Sequence, residues 1–438
     1  MKRLFLFPLI VLALAWLVTG CGGSKTAVQM TGTMATLQTG DALNDQIVKF
    51  ELTISSITLT GTGGTANTAN LLGGPAEVEF THEAGTFEPL SLAHIPPGTY
   101  SGATMTVANP EVVAIISGVP TKLTATLSST TVNITFSPNI TVGSSPIFIN
   151  FDIDLPNSVT INGTSATVSP TFKVSTSTVA PENNEGDDNG EIDDVHGSIT
   201  NITAPDFTIQ TRSTMITFVT DGNTQFRDGI AQLSDLKVGD IVEVDGVTQP
   251  DGSKLATKVE KEEGENGEEV EGIISTLDSP LTTITIIHQM DSTGTSSSPV
   301  TVNIMVNSST VYSVRADKLN VTPPPFDATH IGKGQRIEAD ASNNTAPLLA
   351  TKVKLREQAL LGTVAASPAP TTSGFTLNVS PTSAFGTLSG ATTVPVTFAN
   401  GATLKVTPAP GMNIRVRGLV FFDGANYSMI AVLDDDNN

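Results

Sequence analysis

At 438 residues the chain is too long for a single hydrophobic core, and about three or four domains are expected. Its formal charge of −21, from 43 acidic and 22 basic side chains, excludes a phosphate-coating surface, and with it nucleic acid as a partner. Hydrophobic residues at 39% with charged residues at only 15% exclude a disordered polyelectrolyte, and a lone cysteine excludes a disulfide framework, so each domain must stand on its own core.

Residues 1–21 read MKRLFLFPLIVLALAWLVTGC. Lys2 and Arg3 precede an apolar run from Leu4 to Val18, which falls short of the about 20 residues a membrane span needs and matches a signal-peptide core. Residues 1–20 are therefore expected to be a signal peptide, and Trp16, the only tryptophan, would leave with it. Val18-Thr19-Gly20-Cys21 resembles the lipobox of bacterial lipoproteins. That resemblance implies cleavage before Cys21 and lipidation of its thiol; two or three acyl chains, at about 0.8 kcal/mol per buried methylene, anchor stably where one does not. It also implies a protein exported to the bacterial cell envelope and held to a membrane through Cys21. Gly22, where inner-membrane lipoproteins of enteric bacteria carry Asp, favours the outer membrane.

Residues 26–180 are expected to form one β-domain. VKFELTISSITLTG (48–61), TFEPLSLAHIPPGTYSGATMTV (86–107) and PIFINFDIDL (146–155) are amphipathic or buried strands separated by turn residues. Pro96-Pro97-Gly98-Thr99-Tyr100 resembles the turn of an uncharacterised family of lipoprotein β-sandwich domains. The resemblance implies a sandwich whose end is covered by the Tyr100 ring, with the hydroxyl on polar backbone. The acidic stretch 181–194, PENNEGDDNGEIDD, then reads as a solvated linker. Its Glu185, Asp187, Asp188, Glu191 and Asp193 are weak calcium candidates that lack the spacing of an EF-hand loop. A second acidic run, EKEEGENGEE (260–269), reads the same way.

The rest of the chain repeats itself, over 195–265, 268–358 and 359–438. LATKV occurs at 255 and again at 349; VHGSITNI (195–202), VEGIISTL (270–277) and LLGTVAAS (360–367) align on Gly197, Gly272 and Gly362. LKVGDIVEVDG (236–246), GKGQRIEAD (332–340) and PGMNIRVRG (410–418) align on Gly239, Gly334 and Gly411, where a turn with positive φ would demand glycine. Alternation such as Val242, Val244 and Ile414, Val416 marks strands with one face on a core; in LATKV the Leu, Ala and Val positions would face it and the Thr and Lys would face water. A five- or six-strand antiparallel barrel of oligonucleotide/oligosaccharide-binding (OB) type suits each copy. Leu236, Val238, Gly239, Asp240, Val242, Glu243, Val244 and Gly246 resemble the L-x-VG-D-x-VEVxG hallmark of a bacterial extracytoplasmic repeat family of unknown function. The later copies depart from it, with Gln335 and Ala341 in the second and Asn413 in the third. The expected fold class is all-β: an N-terminal β-sandwich followed by three small OB-like antiparallel barrels.

Reactive groupings are scarce. His82, His94, His196, His288 and His330 form no HxH or HxxxH pair that would seat zinc, and no GxSxG elbow, P-loop or dinucleotide loop is present. Most carboxylates crowd the acidic runs, where solvation gives them no tuned acidity. No catalytic, cofactor-binding or metal residue is assigned beyond the calcium candidates. The expected function is non-enzymatic: a lipid-anchored envelope protein presenting tandem β-domains for binding or architecture. A glycan or envelope polymer is the expected partner class, although aromatics at 5% give few sugar platforms. The alternatives are an extracellular, glycosidase-like hydrolase with its acids in the sandwich, and a calcium-stiffened adhesin or stalk.

Overall fold

The computed structural model describes residues 32–42, 46–83, 87–178, 190–262, 269–291, 299–314 and 321–435. Cys21, Glu185, Asp187 and Asp188 lie outside the described residues, as do the side chains of Glu191 and Asp193.

The first domain is a sandwich. One sheet orders Phe172–Thr178, Ile147–Asp154, Thr33–Ala42 and Glu88–Ile95; a second orders Ala76–Glu79, Ile47–Thr62, Gly98–Ile116 and Val119–Lys122, with Thr131–Val142 also on Gly98–Ile116; a small third orders Val159–Asn162, Ser165–Val168 and Thr124–Leu127. Strict alternation along Thr131–Val142 sends Val132, Ile134, Phe136, Ile140 and Val142 inward between exposed polar residues. Phe50, Phe80, Tyr100 and Phe151 are fully buried at the centre. The Tyr100 hydroxyl donates to the carbonyl of Pro96 at 2.7 Å, so the ring is packed and its polar end is satisfied by the turn before it.

Three barrels follow. In the first, five strands (Glu191–Thr203, Asp206–Gln210, Met215–Val219, Ile241–Thr248, Lys254–Lys261) close a ring in the order 1-2-3-5-4 and back to 1. Strands 3 and 5 pair in parallel and every other pair is antiparallel, which is OB-type wiring. The second barrel repeats this with Glu269–Leu277, Thr283–Asp291, Thr301–Met305, Arg336–Ala341 and Leu348–Leu355. The third does so with Gln358–Val364, Gly374–Val379, Thr393–Leu404, Asn413–Phe422 and Tyr427–Asp435. Its long third strand, shifted in register between Phe398 and Thr403, replaces what the earlier copies build from two strands. In those copies a short segment, Gln225–Arg227 or Val311–Val314, continues the pairing along strand 5.

Gly239, Gly334 and Gly411 have φ of +97°, +85° and +80°, the left-handed region where a side chain is strained. At Gly197, Gly272 and Gly362 a Cβ would collide with the carbonyl oxygen of Gln210, Ile287 or Asn378 on strand 2, so the pinch between strands 1 and 2 requires glycine. Val242 and Val244, Ile337 and Ala339, and Ile414 and Val416 fill the three interiors.

One expectation about LATKV is corrected. Ala256, Val259, Ala350 and Val353 are buried, but Leu349 is exposed and Lys258 is only 5% exposed. Register shifts at Asp245/Gly246 and Asp340/Ala341 change which residues of strand 5 face the interior. The outer side of strands 4 and 5 of barrel 1 also carries buried side chains, and Lys258 is covered there.

Candidate functional site

The pleat that points Val242 and Val244 into barrel 1 points Glu243 and Asp245 out; barrel 2 does the same with Glu338 and Asp340 at the aligned positions. Outward here means into a junction between domains, where Glu243 and Glu338 are each 1% exposed. Arg356, just past the last strand of barrel 2, reaches across it: its Nη1 lies 3.0 Å from Glu338 and 3.6 Å from Glu243, and its Nε 3.6 Å from Glu271. Lys258 stands 3.3 Å from Glu243, 3.0 Å from Asp245 and 3.2 Å from Glu260. Lys354 pairs closely with Glu338 and also lies 3.9 Å from both Glu243 and Asp340.

The sandwich contributes a turn, Thr81–Glu83, in which His82 is held between two carboxylates. Its Nδ1 is 3.0 Å from Glu79 Oε2 and its Nε2 is 2.6 Å from Glu88 Oε1. The backbone carbonyl of His82 accepts from Arg336 of barrel 2 and Arg417 of barrel 3, each at 3.4 Å. Arg336 also pairs with Glu271 at 2.7 Å, and Arg417 with Glu357 at 3.1 Å. Gln289 Nε2 donates to the Val48 carbonyl at 2.8 Å and to Thr81 Oγ1 at 3.0 Å. The sandwich and all three barrels therefore meet through charged and hydrogen-bonded side chains.

Burial alone would raise the Glu79 carboxyl; the hydrogen bond and charge of His82, with the Phe50 amide and Thr81, overcome it and hold the group at about 2. Burial would lower His82, but the charges and hydrogen bonds of Glu88 and Glu79 raise it to about 9, an imidazolium at neutral pH. Burial likewise opposes the charge on Glu243, and the cations Arg356, Lys354 and Lys258 hold its pKa well below the usual carboxylate range. Elsewhere the carboxylates outweigh the cations. Burial, with Glu338 nearby, raises Asp340 to about 7 against the pull of Lys354. Burial, with Glu262 and Glu338, raises Glu269 well above its ordinary value, and His196 is raised, against burial, by Glu269 and Glu262.

His82 and His196 both stand at this junction, and the Glu88 carboxylate that meets the His82 ring also feels the charge of His196. His330 pairs locally with Asp327 at 2.9 Å. The second acidic run departs from expectation: Glu262 and Glu269, at the edges of 260–269, turn inward beside His196 and are largely buried, because the junction supplies counter-charge that an isolated run would lack. Sequence reading missed Glu79, Lys258, Arg336, Glu338, Arg356 and Arg417 as members of one network. The recurrence of an acid at Glu243 and Glu338, each followed by a basic strand 5, is the signal that could have found it.

A cavity of about 80 Å³ lies between Val48, His82, Gln289, Arg336, Gln358 and Leu361, holding a few waters where a ligand pocket takes roughly 300 Å³ or more. The outer face of strands 2 and 3, where OB barrels seat bases or sugars, carries Thr208 and Thr217 in barrel 1, Thr285 and Asn303 in barrel 2, and Thr376 and Thr397 in barrel 3. Thr208 and Thr217 bond each other at 2.8 Å, and Thr285 bonds Asn303 at 3.0 Å. No aromatic ring stands among these residues to stack on a ligand.

Residues 196–260 match DUF5666, a domain of unknown function. The DUF5666 segment coincides with barrel 1 and includes His196, Glu243, Asp245 and Lys258, whereas Glu262 and everything in barrels 2 and 3 lie beyond it. No curated protein matches the chain. Among solved structures, Drosophila Unr CSD456 is similar at 12% identity, over 56% of this chain and 96% of that one, with a TM-score of 0.13. A multidomain protein with nucleic acid binding domains from Streptococcus pneumoniae is similar at 12% identity, over 54% of this chain and 72% of that one, with a TM-score of 0.12. Neither likeness carries weight at those scores.

Proposed function

We propose that the protein is a non-enzymatic scaffold of the bacterial cell envelope, anchored by lipid on Cys21, that presents a sandwich and three OB-type barrels as one rigid body. The observation that carries this reading is how the buried charges are used. Arg336 of barrel 2 and Arg417 of barrel 3 both donate to the His82 carbonyl of the sandwich, and Glu243 of barrel 1 faces Arg356 and Lys354 at the end of barrel 2. Among the buried acids of the sandwich, Glu79 is saturated: Oε1 accepts from Phe50, Thr81 N and Thr81 Oγ1, and Oε2 from His82 N and faces the His82 ring. A carboxylate so held has no proton to give near neutral pH. In the aligned strand-4 positions the third copy carries Arg415 and Arg417, so the repeats supply complementary charge in place of a repeated reactive group.

The test has two arms. The full chain is assayed against glycosidase, esterase and peptidase substrates and screened on glycan and envelope-polymer arrays; turnover abolished by Glu79→Gln overturns the scaffold reading. In cells, labelling with a clickable fatty acid is expected for the wild type and lost in Cys21→Ser; equal labelling of both overturns the anchor.

A further inference from the structure

Where barrel 1 ends and barrel 2 begins, three donors converge from three places in the chain. His196 stands on the first strand of barrel 1, Glu262 directly follows its last strand, and Glu269 opens the first strand of barrel 2. His196 Nδ1 lies 2.5 Å from Glu262 Oε1 and 3.3 Å from Glu269 Oε1, and one ligand atom from each residue falls within 4.8 Å of the other two. We propose that His196, Glu262 and Glu269 bind a divalent metal ion of the zinc class, clamping barrel 1 to barrel 2.

Four observations argue for a metal site over a plain ion pair. Donors held tetrahedrally at about 2.0–2.2 Å stand roughly 3.4 Å apart, a spacing the His196–Glu269 distance already meets and the His196–Glu262 distance reaches by opening a little under about 1 Å. Glu269 is only 8% exposed, yet its Oε2 has no hydrogen-bond partner, leaving a buried acceptor with lone pairs free. The two acidic side chains lie against each other as well as against the imidazole, a crowding that a dication relieves. Finally, one imidazole with two carboxylates is a zinc-class donor set, since calcium takes six to eight oxygens and magnesium keeps its waters.

A second grouping, Glu269 with Glu338 and Asp340, satisfies the same distance criterion. There Lys354 already sits on Glu338 and near Asp340, and its ammonium would repel a cation. The ion therefore belongs on the His196 side of Glu269. The spacing rules that dismissed zinc from the sequence look for ligands a few residues apart; these are separated by a whole barrel.

The test uses the full chain in detergent, stripped of metal by a chelator. Zn²⁺ and Ca²⁺ are titrated against a chromophoric competitor, and Co²⁺ serves as a spectroscopic probe. One zinc per chain is expected, with much weaker calcium binding, a zinc-dependent rise in melting temperature, and visible Co²⁺ bands. Glu269→Gln, which is nearly isosteric, is expected to weaken zinc binding by at least about tenfold with a cooperative melt retained, and His196→Gln to remove the Co²⁺ bands. Asp187→Asn with Asp188→Asn is expected to change neither. Absence of zinc binding in the wild type overturns the proposal, and so does binding that survives both Glu269→Gln and His196→Gln or that is lost with the Asp187 and Asp188 pair. These readouts involve no catalysis or surface ligand, so they stand or fall separately from the scaffold reading.

Discussion

Barrels 1 and 3 wind five strands in the same order around similar interiors, yet the outer side of strand 4 carries Glu243 and Asp245 in one and Arg415 and Arg417 in the other. Barrel 2 keeps the acids of barrel 1, as Glu338 and Asp340, and sets its own Lys354 beside both and Arg356 beside Glu338. Packing constrains the inside of each copy, while the outside is constrained only by what it docks against. Glu243 meets Lys354 and Arg356 of the second copy, while Arg417 of the third meets Glu357 and the His82 carbonyl of the sandwich.

The sharpest way to break this comparison is Arg356→Met. It strips the shared cation from Glu243, Glu271 and Glu338, and a loss of about 3–5 kcal/mol is expected by urea unfolding, since an uncompensated buried charge is left behind. A loss below about 1 kcal/mol would mean that the junction is wet and contributes little. Next come the interiors: Ile337→Ala in barrel 2 and Ile414→Ala in barrel 3, both fully buried, should each cost about 2–5 kcal/mol and resemble one another. Arg417→Gln removes the pair with Glu357 and a donor to the His82 carbonyl, and about 1–3 kcal/mol is expected.

Melting temperature against pH sharpens the comparison further. His82, raised to about 9, contributes fully below about 6.5 and loses its contribution as pH climbs through 9; Asp340, raised to about 7, favours the fold most below about 4 and loses that contribution as pH climbs through 7. Glu79, lowered to about 2, contributes above about 4.5 and loses that contribution as pH falls through 2. Stability is therefore expected to peak near pH 5 and decline toward pH 9, with the stretch between about 6.5 and 9 flattened in His82→Gln. The smallest effect is expected at the outer face of barrel 1. Thr208→Val with Thr217→Val should stay within about 0.5 kcal/mol, because the bond between the two hydroxyls is open to solvent.

Much of the fold was legible because its causes are local. The period-two pattern around Val242 and Val244, the glycines at 239, 334 and 411, and the turn before Tyr100 each report a nearby steric or hydrogen-bonding need. The junction was illegible for the opposite reason. Lys258 reads as solvent-facing from its own strand, and only the barrel 2 residues beyond it reveal that its side of barrel 1 is covered. Glu262 and Glu269 bound a run whose composition says solvated; the imidazole that draws them in lies 66 residues from Glu262 in sequence. Alternation tells inside from outside, but it cannot tell water from another domain.

The His82 carbonyl receives its two arginines from positions 254 and 335 residues further along the chain. Contacts of such long range close late, since the intervening chain must first be made and brought back. During synthesis the N-terminal domain thus exists for a time with the His82 imidazolium already between Glu79 and Glu88 and its backbone carbonyl still awaiting both arginines. A nascent chain halted before Arg417 would carry an unfinished seam, which makes the order of events at the ribosome as much a property of this protein as its final shape.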